Sequence, residues 1–517
     1  MTSRTSTQSR RDFLRTVSIA GTTVLLPAYA KNATAAVESP VAIPELPDEL
    51  NPENFIIHNK SPLALETRRS RIGSGVITPA SRFFIRNNLP MPSAKIVDRA
   101  NAWVLSVLGV KRPGSLALTE IQGLGLQTET AVIQCSGNGR AFFAHNPSGS
   151  SWKTGAAGCA MWTGIRVSTL VEYLGGVASS AKFLTSTGGE ALPQGVDRNA
   201  VVVERSIPIS KALGDTLLAW EMNGAPIPIT HGGPLRLIVP GFYGCNHIKY
   251  VKQLAFADKE TNATIQRTGY RLRPIGVAGN PKQPSMWRMP VKSWVNGPGA
   301  DGVPVLAGRV TFYGVALSGE RGIRRVEISL DRGKTWVNAR LEGPDLGPNA
   351  WRVFSYTVKL APGQYMVASR ATDSKDDVQP IHRVENERGY GYNAWLDAAL
   401  TVNLVNELPE ELPDQSESPP AEPEVSAADK NEILSPAGKN GRVAFSESAQ
   451  PPCGVCHTLS DAGTQGLVGP NLDQMQPDRQ RVESAVKNGV GAMPAYRDVL
   501  TPEQIQDIAE YIVEVTR

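Results

Sequence analysis

The sequence is poor in the residues that define several common protein classes. Aromatic residues make up 6% of the 517 positions, and the chain has five cysteines and six histidines. Five is an odd number, and disulfide frameworks belong to much smaller secreted chains, so each cysteine is a candidate ligand or a small core residue. An apolar content of 41% with 20% charged residues excludes a largely disordered, collagen-like or multi-span membrane protein.

Charge is unevenly distributed along the chain. The length predicts three or four domains, because a domain averages roughly 100–200 residues. The net charge of +4 combines +15 over residues 1–405, −7 over 406–430 and −4 over 431–517. A basic body joined to an acidic tail predicts an anion-binding site, an internal docking pair that salt weakens, or both. We expect neither a nucleic-acid partner nor a membrane span.

Residues 1–30 have the parts of an export signal in the right order. Arg10-Arg11 precedes Asp12-Phe13-Leu14, as in twin-arginine signals, an apolar stretch covers residues 17–26, and Ala28-Tyr29-Ala30 has the small-x-small pattern of a cleavage site. The apolar stretch is too short to cross a bilayer. The pattern predicts a periplasmic protein that is exported after folding around its cofactor. An uncleaved helix with a chance arginine pair is the alternative.

Residues 431–517 carry a C-x-x-C-H motif between Cys453 and His457. In this motif the thiols of Cys453 and Cys456 attach haem covalently, and His457 supplies one axial nitrogen to the iron. The motif therefore predicts a c-type cytochrome domain with haem c as its cofactor. A zinc or redox C-x-x-C site with a chance histidine is the alternative.

The second axial ligand of the haem is predicted from the turn that precedes the last helix. Met493 lies in this Met-Pro turn, with Met475 as the rival ligand, and Thr501 and Pro502 then begin a helix with apolar residues at helical spacing. The pattern resembles small class I cytochromes, so we expect an all-α domain. Ligation by histidine and methionine raises the haem potential, so this domain should accept electrons from a substrate-oxidising centre.

The segment 406–430 separates this domain from the rest of the chain. Proline and glutamate dominate it, and it has no aromatic residue. Such a composition cannot bury enough apolar surface to fold, so we predict an extended, mobile linker that keeps the cytochrome domain close to the body. A rigid linker docked on the body is the alternative.

A cysteine ends a predicted buried strand in the middle of the chain. Residues 131–135 read as a short apolar strand that ends at Cys135, and residues 136–140 read as a turn. The segment from Ile133 to Arg140 resembles the signature of the sulfite oxidase family of molybdopterin enzymes. The resemblance continues in order over most of residues 80–405, at Phe84–Pro90, Trp152, Gly155–Gly158, Trp162–Gly164, Asn223–Gly224, His231–Arg236, Pro240–Gly244, His247, Lys249, Tyr270, Arg388–Gly389 and Asn393–Trp395.

The family resemblance implies a role for each of these side chains. The Cys135 thiolate would bind molybdenum, a soft ligand for a metal that also carries oxo and dithiolene groups. The anionic cofactor would be held by cations and polar groups, which are Asn87, Asn88, His231, Arg236, His247 and Lys249. A small sulfur oxyanion would be held and oxidised among Arg86, Arg140, Trp152, Tyr270 and Arg388. Cys159 and Cys245 are assigned to core packing.

The resemblance also implies an architecture. We expect an α+β molybdopterin domain of the sulfite oxidase type at residues 31–287 and an all-β immunoglobulin-like sandwich at 288–405, where alternating apolar residues predict strands. The sequence from Val326 through Asp331-Arg332-Gly333 to Val337 predicts a hairpin in this second domain. The family implies that this domain forms a homodimer.

Two departures from the family pattern concern the substrate. Asn88 stands where sulfite oxidases usually have histidine, and Gly269 stands where the family usually has an acid. The resemblance predicts a periplasmic sulfite dehydrogenase that passes electrons singly to its own haem and on to an external cytochrome c or terminal oxidase. The alternatives are a sulfane-sulfur dehydrogenase of a thiosulfate-oxidising system, a methionine-sulfoxide reductase, and an electron-transfer protein whose molybdenum domain has lost catalysis.

Overall fold

The structure is a computed structural model, and it describes residues 46–47, 50–409, 434–466, 468–490 and 493–517. Three predictions fall on residues outside this part of the chain. They are the export signal at 1–30, most of the linker at 406–430, and the two residues before Met493.

Three sheets build the first part of the chain. In chain order the strands are Phe55–Asn59 (β1), Ala64–Thr67 (β2), Ile85–Arg86 (β3), Val104–Leu108 (β4), Gly114–Ala117 (β5), Gln127–Gln134 (β6), Ala157–Arg166 (β7), Phe183–Thr187 (β8), Glu204–Pro208 (β9), Leu217–Met222 (β10), Ala225–Pro226 (β11), Arg236–Ile238 (β12) and Gln253–Ala257 (β13). The helices are Arg69–Ile72 (α1), Lys95–Asp98 (α2), Leu118–Gln122 (α3), Val167–Tyr173 (α4), Arg198–Val201 (α5) and Ile209–Gly214 (α6), with a π-helical turn at Ile265–Gly269.

The pairing of these strands brings distant segments of the sequence together. One sheet has the order β1-β2-β3, a second has β11-β10-β7-β6 with β12 also on β10, and a third has β5-β4-β13-β8-β9. Strands β4 and β13 are parallel, and the other pairs are antiparallel. The predicted buried strand is the second half of β6, because residues 131–134 are all buried. Cys135 therefore lies where this central strand ends.

Two sheets that share one core follow in the next part of the chain. In chain order the strands are Lys292–Gly297 (β14), Val305–Leu306 (β15), Gly308–Leu317 (β16), Ile323–Ser329 (β17), Val337–Asn338 (β18), Arg340–Glu342 (β19), Arg352–Leu360 (β20), Gly363–Asp373 (β21) and Leu400–Val405 (β22). The orders are β14-β16-β20-β19 and β15-β22-β21-β17-β18. Phe312 and Phe354 of one sheet pack in the same apolar cluster as Val326 and Ile328 of the other.

The predicted hairpin in this domain is confirmed. Ile328 pairs with Val337 across an antiparallel register, so β17 and β18 are its two arms. Arg332 and Gly333 both have positive φ, at 63° and 80°, which the turn between the arms requires. The Asp331 carboxylate accepts hydrogen bonds from the backbone and hydroxyl of Thr335, at 2.9 and 2.6 Å. These local bonds close the turn.

The last part of the chain is mainly helical. Its elements are Pro436–Val443 (α7), a π-helical turn at Ala444–Ser448, the strands Thr458–Leu459 (β23) and Thr464–Gln465 (β24), Leu472–Met475 (α8), Arg479–Asn488 (α9) and Pro502–Thr516 (α10). Thr501 caps α10 as predicted, because its hydroxyl accepts from Gln504 N at 3.2 Å and the Gln504 side chain accepts from Thr501 N. The pair β23–β24 corrects the all-α prediction in one detail. No helix in the described chain is both long and apolar enough to cross a bilayer.

Helix α9 lies against the body at both of its ends. At its start, Asn146 Nδ2 donates to Asp478 Oδ2 at 2.8 Å, and Arg481 Nη2 donates to the Gly149 carbonyl at 2.7 Å. At its end, Asn488 Nδ2 donates to Glu387 Oε1 at 2.5 Å. The cytochrome domain therefore docks on the body.

Candidate active site

The backbone around Cys135 is fixed from several sides. Cys135 N donates to the Ala156 carbonyl at 2.9 Å, which continues the pairing of β6 with β7. Asn138 Nδ2 donates to Gln134 Oε1 at 3.1 Å, and its Oδ1 accepts from Ala156 N at 3.1 Å. The buried Lys292 ammonium donates to the Asn138 carbonyl at 3.1 Å. These bonds hold the turn that follows the strand, so the position of the thiol is set by the sheet.

Cys135 lines a cavity together with five of the six side chains that the family resemblance assigns to binding the molybdenum cofactor, which are Asn87, Asn88, Arg236, His247 and Lys249. Lys249 is buried, and its ammonium donates to Asn87 Oδ1 at 2.8 Å and to the Thr230 carbonyl at 2.6 Å. Burial, followed by the nearby Arg236 guanidinium, lowers the pKa of Lys249 well below its usual range. Burial also lowers the pKa of Arg236 to about 10.

The polar groups of this cavity fit an anionic cofactor. Within the described residues, neither Arg236 nor Lys249 has a carboxylate within the 4 Å of an ion pair. Arg236 Nε, Asn87 Nδ2 and Asn88 Oδ1 are buried and make no hydrogen bond. Buried cations and orphaned polar atoms are costly unless a ligand satisfies them. Glu190 is a carboxylate that lines the same cavity and acts on Lys249 beyond ion-pair distance; a phosphate-bearing pterin would add further negative charge, and the Cys135 sulfur would offer a metal ligand beside it.

The two histidines assigned to the cofactor lie in different places. His247 lines the cavity, whereas His231 lies behind it, where its carbonyl accepts from Arg236 Nη1 at 2.6 Å and its ring pairs with the Ala80 carbonyl at 2.9 Å. Burial lowers the pKa of both rings to about 3, so each is neutral at pH 7. His231 supports Arg236 through its carbonyl, and a direct contact of its ring with the cofactor stays a prediction.

A second group of side chains surrounds the ring of Tyr390. The guanidinium carbons of Arg140 and Arg388 lie 5.4 and 5.6 Å from the ring centroid. The Tyr270 ring stacks on the same ring at 5.4 Å, and burial raises the pKa of Tyr270. Tyr390 thus brings together three residues that the sequence predicted separately. Sequence reasoning missed it, although its position two residues after Arg388 was an available signal.

The arginines around Tyr390 are buried without acidic partners. Arg140 donates from Nε to the Arg388 carbonyl at 3.0 Å and from Nη1 to the Ser150 carbonyl at 2.7 Å. Arg273, which sequence reasoning also missed, is 2% exposed, and its Nε and Nη2 make no hydrogen bond within the described chain. Burial, followed by the Arg388 charge, lowers the pKa of Arg273 to about 10. This cluster of buried positive charge would attract a small anion.

Trp152 is positioned by a carboxylate that no sequence motif indicated. Glu66 is buried on β2, and its Oε1 accepts from the backbone nitrogens of Lys153 and Gly155, both at 2.9 Å. Its Oε2 lies 2.8 Å from His58 Nε2, and the His58 ring packs edge-on against Trp152 at 4.5 Å. Trp152 is fully buried in the same apolar cluster as Cys135.

The two remaining cysteines of the body have different surroundings. Cys159 lies in the core, where burial raises its thiol pKa to about 12. Cys245 instead lines the cofactor cavity, where it accepts a hydrogen bond from the Ser136 hydroxyl at 3.3 Å. The assignment to packing therefore holds for both cysteines, because Cys245 packs against the core cluster that contains Cys159, and Cys245 in addition forms part of the cavity wall.

A second cavity, of about 1090 Å³, is lined by the C-x-x-C-H motif. The ring nitrogen Nδ1 of His457 pairs with the Pro470 carbonyl at 3.0 Å, which leaves Nε2 free to bind a metal. The close packing at Gly469 holds this ring, because a Cβ there would lie 2.3 Å from His457 Cε1. Met475 and Met493 both line the cavity, so Met493 as the second ligand stays a prediction. Thiols, an imidazole and thioethers around one apolar space fit haem c.

The two cavities share part of their lining. Arg86, on β3, and Asn88, two residues later, line both the cavity of Cys135 and the cavity of His457. The second cavity also takes lining from the body at Pro62, Ala64 and residues 148–150. Groups bound in the two cavities would therefore face the same pair of side chains.

Comparison with known proteins places this geometry in a family. Residues 89–265 match the oxidoreductase molybdopterin binding domain, 283–403 the Mo-co oxidoreductase dimerisation domain, and 437–512 the family described as cytochrome C oxidase, cbb3-type, subunit III. The sulfite oxidase of Arabidopsis thaliana is 32% identical over 379 residues, which are 68% of this chain and 94% of that protein. The chain belongs to the sulfite oxidase family.

Other members of the family match only part of this chain, and this chain matches only part of them. The mitochondrial sulfite oxidases of Mus musculus and Homo sapiens are 32% and 31% identical over 66% of this chain, and the match spans 64% of their own length. The solved structure of the sulfane dehydrogenase SoxCD from Paracoccus pantotrophus matches with a TM-score of 0.56 and 25% identity, over 66% of this chain and 87% of that chain. The chain thus combines molybdopterin and dimerisation domains of this family with a C-terminal cytochrome c domain that binds haem c.

Proposed function

We propose that this protein is a periplasmic, molybdenum-dependent sulfite dehydrogenase that passes electrons one at a time to its own haem c and then to an external cytochrome c or terminal oxidase. The observation that carries the proposal is the pair Arg86 and Asn88, which lines both cavities. Sulfite oxidase relatives, the twin-arginine pattern and the match to a dimerisation domain support the substrate, the compartment and a homodimer.

The cofactors would be held by residues already described. Cys135 would bind molybdenum, Arg236 and Lys249 the pterin phosphate, and His457 with the two motif cysteines the haem. The molybdenum centre supplies oxygen-atom transfer to sulfur and takes up two electrons, and haem c supplies a one-electron acceptor. Burial of Arg236 and Lys249 excludes water from their contacts with the anionic group and so strengthens them.

The substrate oxyanion would bind among the cations next to the thiol. Arg140 and Arg388 offer positive charge from one side of Tyr390, and Arg86 offers it from the wall between the cavities. Burial raises the pKa of the Tyr270 hydroxyl, so that the group stays protonated at neutral pH and can donate a hydrogen bond to a substrate oxygen. The charge of the oxyanion changes little during its oxidation. The arginines therefore contribute by binding and orienting the anion.

The decisive experiment uses the haem as the reporter. Sulfite added to the oxidised holoprotein should bleach the ferric haem spectrum to the ferrous one within a few turnovers. Cys135→Ser should keep haem and fold but lose this reduction, because the metal loses its thiolate. Cys159→Ser is the matched control, since this thiol lies in the core, and it should keep the reduction. Full haem reduction by sulfite in Cys135→Ser would contradict the proposal.

A sulfane-sulfur dehydrogenase is the second candidate. The similarity to SoxCD and the asparagine at position 88, in place of the usual histidine, favour it. The same spectroscopic assay separates the two candidates. Haem reduction by a carrier protein loaded with sulfane sulfur, together with no response to sulfite, would establish the second candidate.

A further inference from the structure

Two consecutive residues of the body bind two consecutive residues of the cytochrome domain. Asn488 Nδ2 donates to Glu387 Oε1 at 2.5 Å, and Arg388 Nη1 donates to the Gly489 carbonyl. The second oxygen of Glu387 accepts from Gly276 N at 2.8 Å, so the carboxylate is also fixed from the side of the body. We call Glu387, Arg388, Asn488 and Gly489 the clasp.

The clasp supplies the hydrogen bond that orients the Arg388 side chain. Arg388 is 2% exposed, and its Nε makes no hydrogen bond within the described chain. A guanidinium has five N–H donors, and here the Gly489 carbonyl, from the other domain, accepts from one of them. The guanidinium carbon of Arg388 lies 5.6 Å from the centroid of the Tyr390 ring, and that of Arg140 lies 5.4 Å from it.

Several positive charges are enclosed beside the clasp. Arg140, Arg273 and Arg388 are each buried, and within the described residues none of the three has a carboxylate within 4 Å. Charges enclosed in a medium of low dielectric interact more strongly than charges in water. A small oxyanion between them offsets the cost of enclosing them, and it does so more in the docked state than in the undocked state.

We propose that the end of α9 is a positioning element of the substrate pocket, so that docking of the cytochrome domain and binding of the sulfur oxyanion strengthen each other through Arg388. This inference rests on the proposed function. Undocking removes the Gly489 carbonyl and frees the Arg388 side chain to rotate into water, which weakens the pocket. By linkage, bound oxyanion raises the equilibrium constant for docking by the same factor by which docking raises the affinity for the oxyanion.

The test uses inorganic sulfate as a non-reacting probe of the full-length holoprotein. Sulfate affinity is measured by calorimetry on the oxidised protein, and internal electron transfer is measured by flash photolysis. Asn488→Asp places a second carboxylate against Glu387 and should lower sulfate affinity at least about fivefold, the lower end of ordinary allosteric coupling. Asn488→Ala removes the bond without adding charge and should lower it about threefold. Both variants should slow internal electron transfer.

A double variant that exchanges the two charges, and a matched control variant, distinguish the loss of the clasp contacts from a general loss of structure. Glu387→Gln combined with Asn488→Asp restores a donor facing an acceptor and should return sulfate affinity to within about twofold of the wild type. Gln480→Ala is the control on the same helix, because its 3.4 Å contact with the His145 carbonyl lies outside the clasp, and it should leave sulfate affinity unchanged. Haem content confirms that each variant is folded.

The outcomes are distinct from those of the proposed function. Wild-type sulfate affinity in Asn488→Asp and Asn488→Ala, with slowed electron transfer, would show that docking does not position Arg388 and would overturn the inference. The inference would also be overturned if the double variant had normal haem content but did not recover sulfate affinity. A wild-type protein that binds neither sulfate nor sulfite would instead refute the proposed function itself.

Discussion

At the scale of single residues, the common property of the two anion pockets is positive charge that is buried without a carboxylate partner. Arg236 and Lys249 show this in the cofactor cavity, and Arg140 and Arg388 show it around Tyr390. Such groups cost folding free energy unless a ligand pairs with them. Their number indicates that the protein is organised around bound anions.

The variant Lys249→Met tests whether buried positive charge holds the molybdenum cofactor. The change keeps the length of the side chain but removes the ammonium, whose hydrogen bonds to a charged ligand contribute about 1.5–3 kcal/mol each. Molybdenum per chain, measured by metal analysis under limiting cofactor, should fall by about tenfold, while haem content stays the same. Lys252→Met, at an exposed lysine, is the control. Equal molybdenum in both variants would contradict the role of Lys249.

Stability at acid pH follows from the buried histidines. Their pKa is about 3 in the folded protein against 6.5 ordinarily, so between these values the unfolded chain binds more protons, and the free energy of unfolding falls as the pH falls. His247→Gln should reduce this slope by about 1.4 kcal/mol per pH unit. Denaturant unfolding at pH 4 to 7 measures it, with the exposed His382→Gln as control. An unchanged slope in His247→Gln would argue against a buried neutral ring.

At the scale of elements, local patterns were predictable and long-range contacts were not. The strand ending at Cys135, the β17–β18 hairpin and the start of α10 follow from apolar runs, turn residues and a cap that lie close in the sequence. The partners of the functional side chains come from distant segments. Glu66 binds the backbone next to Trp152 from a separate sheet, and Tyr390 meets Arg140 across 250 positions, which no local pattern encodes.

The crossing of α7 and α10 depends on one glycine. A Cβ at Gly441 would lie 1.9 Å from the Asp507 carbonyl, so the two helices cannot approach as they do with any larger residue. Gly441→Val should push them apart at a cost of several kcal/mol, above the roughly 1–3 kcal/mol usual for overpacking, because the obstacle is backbone. We expect loss of bound haem and a lower melting temperature of the cytochrome domain.

A helical glycine in open space is the control for this change. A Cβ at Gly214, at the end of α6, would have no neighbouring atom within 4 Å, so Gly214→Val should leave haem content intact. Haem per chain from the absorption spectrum and calorimetric melting measure both variants. Normal haem content in Gly441→Val would show that the helices can separate without harm.

At the scale of the whole molecule, electrostatic docking of the acidic tail on the basic body stays a prediction, because most of the acidic segment lies outside the described residues. Most of the contacts across the interface join a charged group to a neutral one, as between Asn146 and Asp478, Arg481 and the Gly149 carbonyl, and Asn488 and Glu387. Among the described residues, no ion pair within 4 Å crosses it. Hydrogen bonds of this kind are directional and depend on shape, which composition does not reveal.

Salt should therefore have less effect on electron transfer than the net charges suggest. Screening acts strongly on separated charges and weakly on short, partly buried hydrogen bonds. The rate of internal electron transfer after flash photolysis should change less than about twofold between roughly 0.05 and 0.5 M salt. A steep, continuous decline with ionic strength would show that the acidic linker or surface charges hold the domains together instead.

The placement of Arg86 and Asn88 ties two properties of the protein to one short peptide. Both cavities are lined by this short segment. A substitution here that alters the cavity of Cys135 therefore also alters the lining of the cavity that would hold the haem. Under the proposed function, a substitution at Arg86 or Asn88 would change substrate binding and the surroundings of the haem together.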